Sequence, residues 1–173
     1  YKIASYELLD VPLLRKVAAT KKPVILSTGM ATLADMEFAL GIMERAGNSE
    51  VIFLHCSSTY PVLPENISLN AMQTMRQAFP CCPIGYSDHS IGISISIAAV
   101  ALGACVIEKH FMLDDGVPTV DAKFSLSPGG LKIMVESIRM AEKALGSTEK
   151  RPSKIEEKEK IQARRSLWVV RDV

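Results

Sequence analysis

Five short apolar runs punctuate the chain, and each breaks off into polar residues capable of chemistry. They are Tyr1-Lys2-Ile3-Ala4-Ser5, Val24-Ile25-Leu26-Ser27-Thr28, and the stretches from Val51 to Ser58, Pro83 to His89 and Cys105 to His110. From Ser5 to Ser27, Ser58, Ser87 and His110 the steps are 22, 31, 29 and 23 residues. A step of that size holds a strand, a loop, a helix and a return. Repeated strand-then-helix units predict a parallel α/β sheet with right-handed crossovers. Such a sheet brings all its C-terminal strand ends to one face, where barrel and doubly wound enzymes hold their sites.

Helix signals fall where the crossovers need them. Asp10 caps a helix that tolerates Pro12 in its first turn and runs to Thr20. Thr32 and Asp35 form a capping-box pattern, Met36, Ala39, Leu40 and Met43 follow at helical spacing, and Gly47 supplies a stop. A proline-stiffened loop from Tyr60 to Glu65 leads to a helix over Leu69 to Phe79. Ile91, Ile93, Ile95 and Ile97 alternate as a strand would. The slot between two parallel strands nevertheless demands a crossover, so a helix is predicted there, with a turn at Gly103. After a long loop from Leu113 to Leu126, Ser127 and Pro128 open a helix that ends at Leu145-Gly146. Ser147 to Lys160, rich in lysine and glutamate, reads as a linker with a solvated helical stretch. Five strands fit either an open doubly wound sheet or the later part of an eight-stranded barrel. No glycine-rich phosphate loop follows the first run, which weakens the dinucleotide-binding alternative.

Composition narrows the function classes. The 173 residues suffice for one cored domain, and 48% apolar with 23% charged content is ordinary for a soluble α/β protein. With 20 Lys+Arg against 19 Asp+Glu the net charge is +1, so no global field is available to hold nucleic acid. The longest uncharged run, Ser90 to Ile107, is 18 residues, but glycines and serines interrupt it and basic flanks are missing, so no membrane span is expected. The four cysteines show no CxxC spacing; Cys56 and Cys105 fall in predicted buried strands as small hydrophobes, and a reducing cytoplasm is expected. The chain opens directly in a strand at Tyr1 and stops at Val173, just after Ser166 to Val170, which reads as a strand beginning. Those ends suggest a piece of a longer protein.

His89 and His110 end adjacent strands, each near an acidic residue, Asp88 and Glu108. Imidazoles so placed can converge on one divalent metal, with carboxylates as further ligands or supporting partners. Each could equally be a hydrogen-bonded histidine at a strand end. Period-two alternation puts Glu108 and His110 on one face and Lys109 on the other. Lys2 in a buried strand requires an anion or carboxylate to neutralise it, unless the strand frays and leaves it in solvent. Ser5, Ser27, Thr28, Ser57, Ser58 and Ser87 recur at strand ends, and with Lys2 they could surround a phosphate or carboxylate. His55 reads as packing in the sheet wall, and Tyr60 as a cover over a ligand or the rim. Asp121 and Ser125 lie in the last loop. No G-x-S-x-G elbow supports a serine hydrolase, and Lys109 faces the wrong way for a Schiff-base aldolase.

At these residues the chain closely resembles the N-acetylneuraminate (sialic acid) synthase family, which includes the pseudaminic and legionaminic acid synthases. The stretches that carry the resemblance are Lys2-Ile3-Ala4-Ser5-Tyr6-Glu7, Ser27-Thr28-Gly29-Met30, His55-Cys56-Ser57-Ser58-Thr59-Tyr60-Pro61, Gly85-Tyr86-Ser87-Asp88-His89, Ile107-Glu108-Lys109-His110-Phe111 and Ala163-Arg164-Arg165-Ser166-Leu167. The resemblance implies the last five βα units of a (β/α)8 TIM barrel over residues 1–146. A linker over 147–163 and the start of an antifreeze-like domain over 164–173 would follow. It implies condensation of phosphoenolpyruvate with the aldehyde of an N-acetylated hexosamine such as N-acetylmannosamine, giving a nine-carbon 2-keto acid and phosphate. It implies a divalent cation, Mn2+ or Mg2+, on His89 and His110. Lys2, Ser5, Ser27, Ser58 and Ser87 match positions around phosphoenolpyruvate, Glu7 a catalytic carboxylate, and Tyr60 and Asp121 sugar contacts. A homodimer is implied for the full-length protein.

The family often carries Gly-Pro-Asp-His in its last loop, where this chain has Thr119-Val120-Asp121-Ala122. Ala122, Phe124 and Ser125 look more like the pseudaminic acid branch, whereas Tyr6 and Tyr86 look less so. The acceptor sugar is thus open between an N-acetylated hexosamine and a diacetamido-trideoxyhexose. Another metal-dependent barrel aldolase or lyase and a non-enzymatic sugar-acid binding module are the rival readings. Five strands leave an unpaired barrel edge, so the isolated chain is expected to be inactive.

Overall fold

The structure, a computed structural model, describes residues 1–113, 119–165 and 170–171. Five strands form one parallel sheet in sequential order: β1 (Lys2–Ile3), β2 (Val24–Ser27), β3 (Val51–Cys56), β4 (Ile84–Asp88) and β5 (Ile107–Lys109). The first run is mostly not strand, because a 3-10 turn takes over at Ser5–Glu7. Cys105 is also not inside a strand: it precedes β5, is exposed, and donates its thiol to the Ile84 carbonyl at 3.1 Å.

Helices connect the strands as the crossover rule requires. They are α1 (Val11–Ala18), α2 (Leu33–Arg45), α3 (Ala71–Ala78), α4 (Ser94–Ala101), α5 (Pro128–Leu145) and α6 (Lys154–Ala163). Their ends follow local chemistry. Asp10 accepts the Leu13 amide, Thr32 and Asp35 close a reciprocal capping box, and Ser127 accepts the Gly130 amide ahead of Pro128. Beyond α2, Gly47 takes a positive φ of 73°, a conformation open to glycine at low cost. Of the alternating isoleucines, Ile95 and Ile97 lie in a helix that begins only at Ser94, while Ile91 and Ile93 precede it, and the small residues Ser96 and Ala99 face the interior. α6 is the solvated helix of the lysine- and glutamate-rich stretch and buries no residue. The strand expected over Ser166 to Val170 lies largely outside the described residues.

Parallel register aligns side chains in layers. Val24, Leu26, Val51, Phe53, Ile84 and Tyr86 point outward and pack with Leu14, Met36, Met43 and Met72 of the helices. Full burial of a side chain such as Phe53, with no exposed surface, contributes about 1.5–3 kcal/mol. A smaller cluster of Val100, Leu126, Met134 and Ile138 joins α4 to α5.

The inner face is where the curl of the sheet shows. Flat, the first and fifth strands would stand four spacings or roughly 19 Å apart. Yet Lys2 Nζ of β1 lies 3.6 Å from Glu108 Oε2 of β5. The sheet must therefore bend so that its outermost strands face each other across a concave surface, which is the curvature of a barrel wall. Gly85 of β4 permits that packing, because a Cβ there would lie 2.5 Å from the Val106 carbonyl oxygen and 2.6 Å from Leu54 Cδ2. Gly85→Ala is expected to destabilise the protein by about 1–3 kcal/mol, since backbone must move to admit the methyl group. Urea unfolding of variant and wild type checks this, and an unchanged midpoint would refute it.

Candidate active site

The C-terminal ends of β1 to β5 converge on three linked groups. The first is electrostatic. Lys2 Nζ donates to Ser27 Oγ at 2.9 Å and to the Ile3 carbonyl at 3.1 Å, while Ser87 Oγ donates to Glu108 Oε1 at 2.7 Å. Lys2 thus faces Glu108 on the concave face, and its strand is not frayed but paired with β2, although the side chain stays accessible to solvent. The pair is about a third exposed, so it is solvent-accessible and can be opened at small cost.

The second group is a hydroxyl nest beside it. Gly29 N donates to Ser5 Oγ at 2.9 Å, and Ser58 Oγ is buried without a hydrogen-bond partner. A Cβ at Gly29 would fall 2.2 Å from Ser58 Oγ and 2.9 Å from Ser5 Oγ, so the nest exists because residue 29 has no side chain. An unpaired buried hydroxyl costs free energy until something bonds it. Cys56 sits between the first two groups: burial pushes its thiol up, opposed by the hydroxyls of Ser5 and Ser87.

The third group is the imidazole pair. The rings of His89 and His110 have centroids 5.3 Å apart, inclined by 66°. His89 Nδ1 lies 2.9 Å from the Ser57 carbonyl oxygen, to which it can only donate, and His110 Nδ1 lies 3.4 Å from Asp121 Oδ2. Each ring thereby turns Nδ1 toward an oxygen, and among the described residues Nε2 of neither ring has a hydrogen-bond partner, an arrangement open to a metal-bound histidine. Main-chain bonds hold the two residues from the far side, Val62 N to the His89 carbonyl and Leu126 N to the His110 carbonyl. Burial pushes the His89 imidazole below its ordinary value, and the facing His110 adds to that, against the Ser57 bond. His89 is therefore neutral at physiological pH and able to ligate.

Tyr60 and Phe124 wall the pair, with centroid distances of 4.3 Å from Tyr60 to His89 and 4.8 Å from Phe124 to His110. His110 and Asp121 also line a cleft of about 410 Å³ with Thr119 and Ser125, which is room for a small polar ligand. Among the described residues no cluster of three or more His, Cys, Asp or Glu side chains gathers for a metal. Two imidazoles with free Nε2 atoms still fit a divalent ion completed by oxygens from substrate or water.

The sequence-predicted residues divide accordingly. Lys2, Ser27 and Ser87 meet around Glu108; Ser5 and Ser58 meet at Gly29; His89, His110, Tyr60 and Asp121 meet at the rim. Glu7 stands apart: its carboxylate accepts the Ala4 amide at 3.1 Å, and no hydrogen bond or ion pair among the described residues joins it to either histidine. Asp88 does not support the imidazoles as a carboxylate partner. Alternation along β4 turns it to the opposite face, where it is fully buried beneath α4. His55 packs in the outer wall with Nε2 on the Ile67 carbonyl at 2.7 Å, as expected. Sequence reasoning missed Gly29 and Phe124 as site residues. It set Glu108 beside the imidazoles as a possible ligand or supporting carboxylate, whereas its carboxylate meets Ser87 and Lys2, a contact that its face assignment carried across the ladder to Ser87 could have found.

A model of the NeuB family matches residues 1–150. The chain is 45% identical over 175 residues to N,N'-diacetyllegionaminic acid synthase of Campylobacter jejuni, covering 100% of this chain and 52% of that protein. It is 41% identical over 174 residues to pseudaminic acid synthase of Helicobacter pylori, covering 100% of this chain and 51% of that protein. Among solved structures, the N-acetylneuraminic acid (sialic acid) synthetase of Leptospira borgpetersenii superposes with a TM-score of 0.84 at 36% identity, over 95% of this chain and 58% of that one. The chain spans about half the length of these curated relatives.

The depressed basicity of His89 sets a direction for acid sensitivity. Its folded value lies below the unfolded value of about 6.5, so the unfolded state takes up a proton first as pH falls. The stability tied to neutral His89 is present above the unfolded value and is lost as pH drops through the folded one. Urea midpoints taken from about pH 7 to about pH 5 are expected to fall further for wild type than for His89→Gln. Parallel declines in the two proteins would contradict it.

Proposed function

The chain belongs to the NeuB family, and from that premise we propose that the protein carrying it condenses phosphoenolpyruvate with the aldehyde of an N-acetylated hexosamine such as N-acetylmannosamine. The methylene carbon of phosphoenolpyruvate bonds to the aldehyde carbon, water adds at the enol carbon, and the C–O bond to phosphate breaks. The products are a nine-carbon 2-keto sugar acid and inorganic phosphate. The observation that carries this reading is the adjacency of an anion cradle to two imidazoles on one rim, their ring centroids 5.3 Å apart.

Lys2, Ser5, Ser27, Ser58 and Ser87 bind the carboxylate and phosphate, with the unpaired Ser58 hydroxyl and the Gly29 amide aimed into the nest. On binding, Lys2 exchanges Glu108 for the ligand's charge, and the freed Glu108 carboxylate can accept a proton nearby. Glu7, on the same turn as Ser5, is assigned proton or water handling. His89 and His110 hold Mn2+ or Mg2+, which supplies Lewis-acid polarisation of the aldehyde oxygen when bound. Tyr60 and Asp121 position the sugar, and Phe124 with Tyr60 keeps water from the aldehyde. The full-length protein is proposed to act as a homodimer.

A diacetamido-trideoxyhexose is the second acceptor reading. It is favoured by whole-chain relatives named for legionaminic and pseudaminic acid. The test uses the full-length protein with phosphoenolpyruvate and each acceptor, with phosphate release and keto-acid formation both measured. Chelator is expected to abolish turnover and Mn2+ to restore it, and His110→Ala to lower kcat about 10²–10⁴-fold, the several kcal/mol that Lewis-acid stabilisation supplies. Lys2→Met is expected to raise KM for phosphoenolpyruvate. Carbon–carbon bond formation without phosphate release would favour a simple aldolase, and no turnover with any acceptor would favour a binding module.

A further inference from the structure

The proposed chemistry leaves a second charged pair of β4 and β5 unused. On the outer face, under α4, Lys109 Nζ lies 3.1 Å from Asp88 Oδ2, with the two side chains 1% and 0% exposed. Further hydrogen bonds inside the protein tie the pair down. Ser96 Oγ donates to Asp88 Oδ2 at 2.6 Å, the Ser90 amide donates to Oδ1 at 2.8 Å, and Lys109 Nζ donates to the Ser90 carbonyl at 2.7 Å. A dry ion pair of this kind adds little net stability over apolar residues of equal volume, because desolvation consumes its Coulomb gain. Stability alone therefore does not account for it.

Its place in the chain does. Asp88 and Ser90 flank His89, and Lys109 immediately precedes His110. Asp88 and Lys109 are also the last register pair of the β4–β5 ladder, so among the described residues no ladder bond joins the strands beyond them. The two histidines project past the last rung, where parallel strands are free to splay. The knot of Asp88, Ser90, Ser96 and Lys109 takes the place of the missing rungs and ties both strand ends to α4.

We propose that the Asp88–Lys109 pair is a positioning device that fixes the spacing of the His89 and His110 imidazoles from the opposite face of the sheet. The inference rests on the metal reading given above. It predicts that the pair acts on the metal end of the site and leaves the phosphoenolpyruvate cradle, built on β1, β2 and the Ser87–Glu108 bond, in place.

The experiment titrates Mn2+ alone into the full-length protein, followed by electron paramagnetic resonance, for wild type, Lys109→Met, the neutralised double variant Asp88→Asn/Lys109→Met, and His110→Ala. Thermal unfolding is recorded for each. The double variant removes both charges together and so avoids a stranded buried ion. It is expected to fold, to bind Mn2+ about 10–100-fold more weakly, the usual effect of losing a supporting partner, and to keep KM for phosphoenolpyruvate within about twofold while kcat falls. A folded double variant that binds Mn2+ as wild type does overturns the inference alone. Failure of both Lys109 variants to fold assigns the pair to stability and overturns it as well. A wild type that binds no Mn2+, or a His110→Ala variant that binds it unchanged, overturns the metal reading and the inference with it.

Discussion

The register of β4 against β5 governs this molecule. Because Ser87 faces Glu108 and Asp88 faces Lys109, one pair of rungs sends a polar contact to the concave side and the next sends one to the helical side. A slip of one residue would exchange them, placing the Lys109 ammonium in the cradle and turning Glu108 into the apolar layer. Burial on both faces makes that slip costly, so the positions of both histidines follow from the same rule that packs Ile84 and Tyr86 outward.

The two charged pairs differ in kind because they differ in solvent. Lys2 and Glu108 are 3.6 Å apart and about a third exposed, so their attraction is on the order of 1–4 kcal/mol before entropy and screening. An incoming anion with two charged groups can outcompete a single carboxylate at that strength. Lys109 and Asp88 are 3.1 Å apart and dry, and separating them would leave two uncompensated charges in the interior. The wet pair can open and the dry pair cannot, which is the division of labour a site needs between ligand exchange and fixed geometry.

Local chemistry was legible in the sequence, and long-range chemistry was legible only in part. Asp10, Thr32 with Asp35, and Ser127 with Pro128 announce their helices because a cap is a contact within one turn. α4 was recoverable against its alternating isoleucines because connectivity overrides periodicity. The strand ends carrying Ser27, Ser87, His89 and His110 were readable from alternation, and the recognised motifs covered nearly the whole chain. Asp88 was misread as a partner for His89 because nearness in sequence was allowed to outrank alternation; successive strand residues face opposite ways. Phe124 reaches the imidazoles only because the chain returns to pair Phe111 with Leu126, a contact that no local pattern encodes. The Gly29 nest depends on three separate turns meeting, and its signal is the absence of a side chain, which motif reading quotes without explaining.

The proposed metal reading turns on how the imidazole pair would take a cation rather than protons. With ring centroids 5.3 Å apart, placing a proton on each ring puts two like charges close together between Tyr60 and Phe124. Burial already holds His89 below its ordinary basicity, and His110 lowers it further once charged. The oxygens beside Nδ1, the Ser57 carbonyl and the Asp121 carboxylate, leave Nε2 of each ring without a hydrogen-bond partner among the described residues. On the proposed reading, the two imidazoles would share one divalent ion in place of two protons. The cleft beside His110 and Asp121 would then give a small polar ligand access to an ion held there.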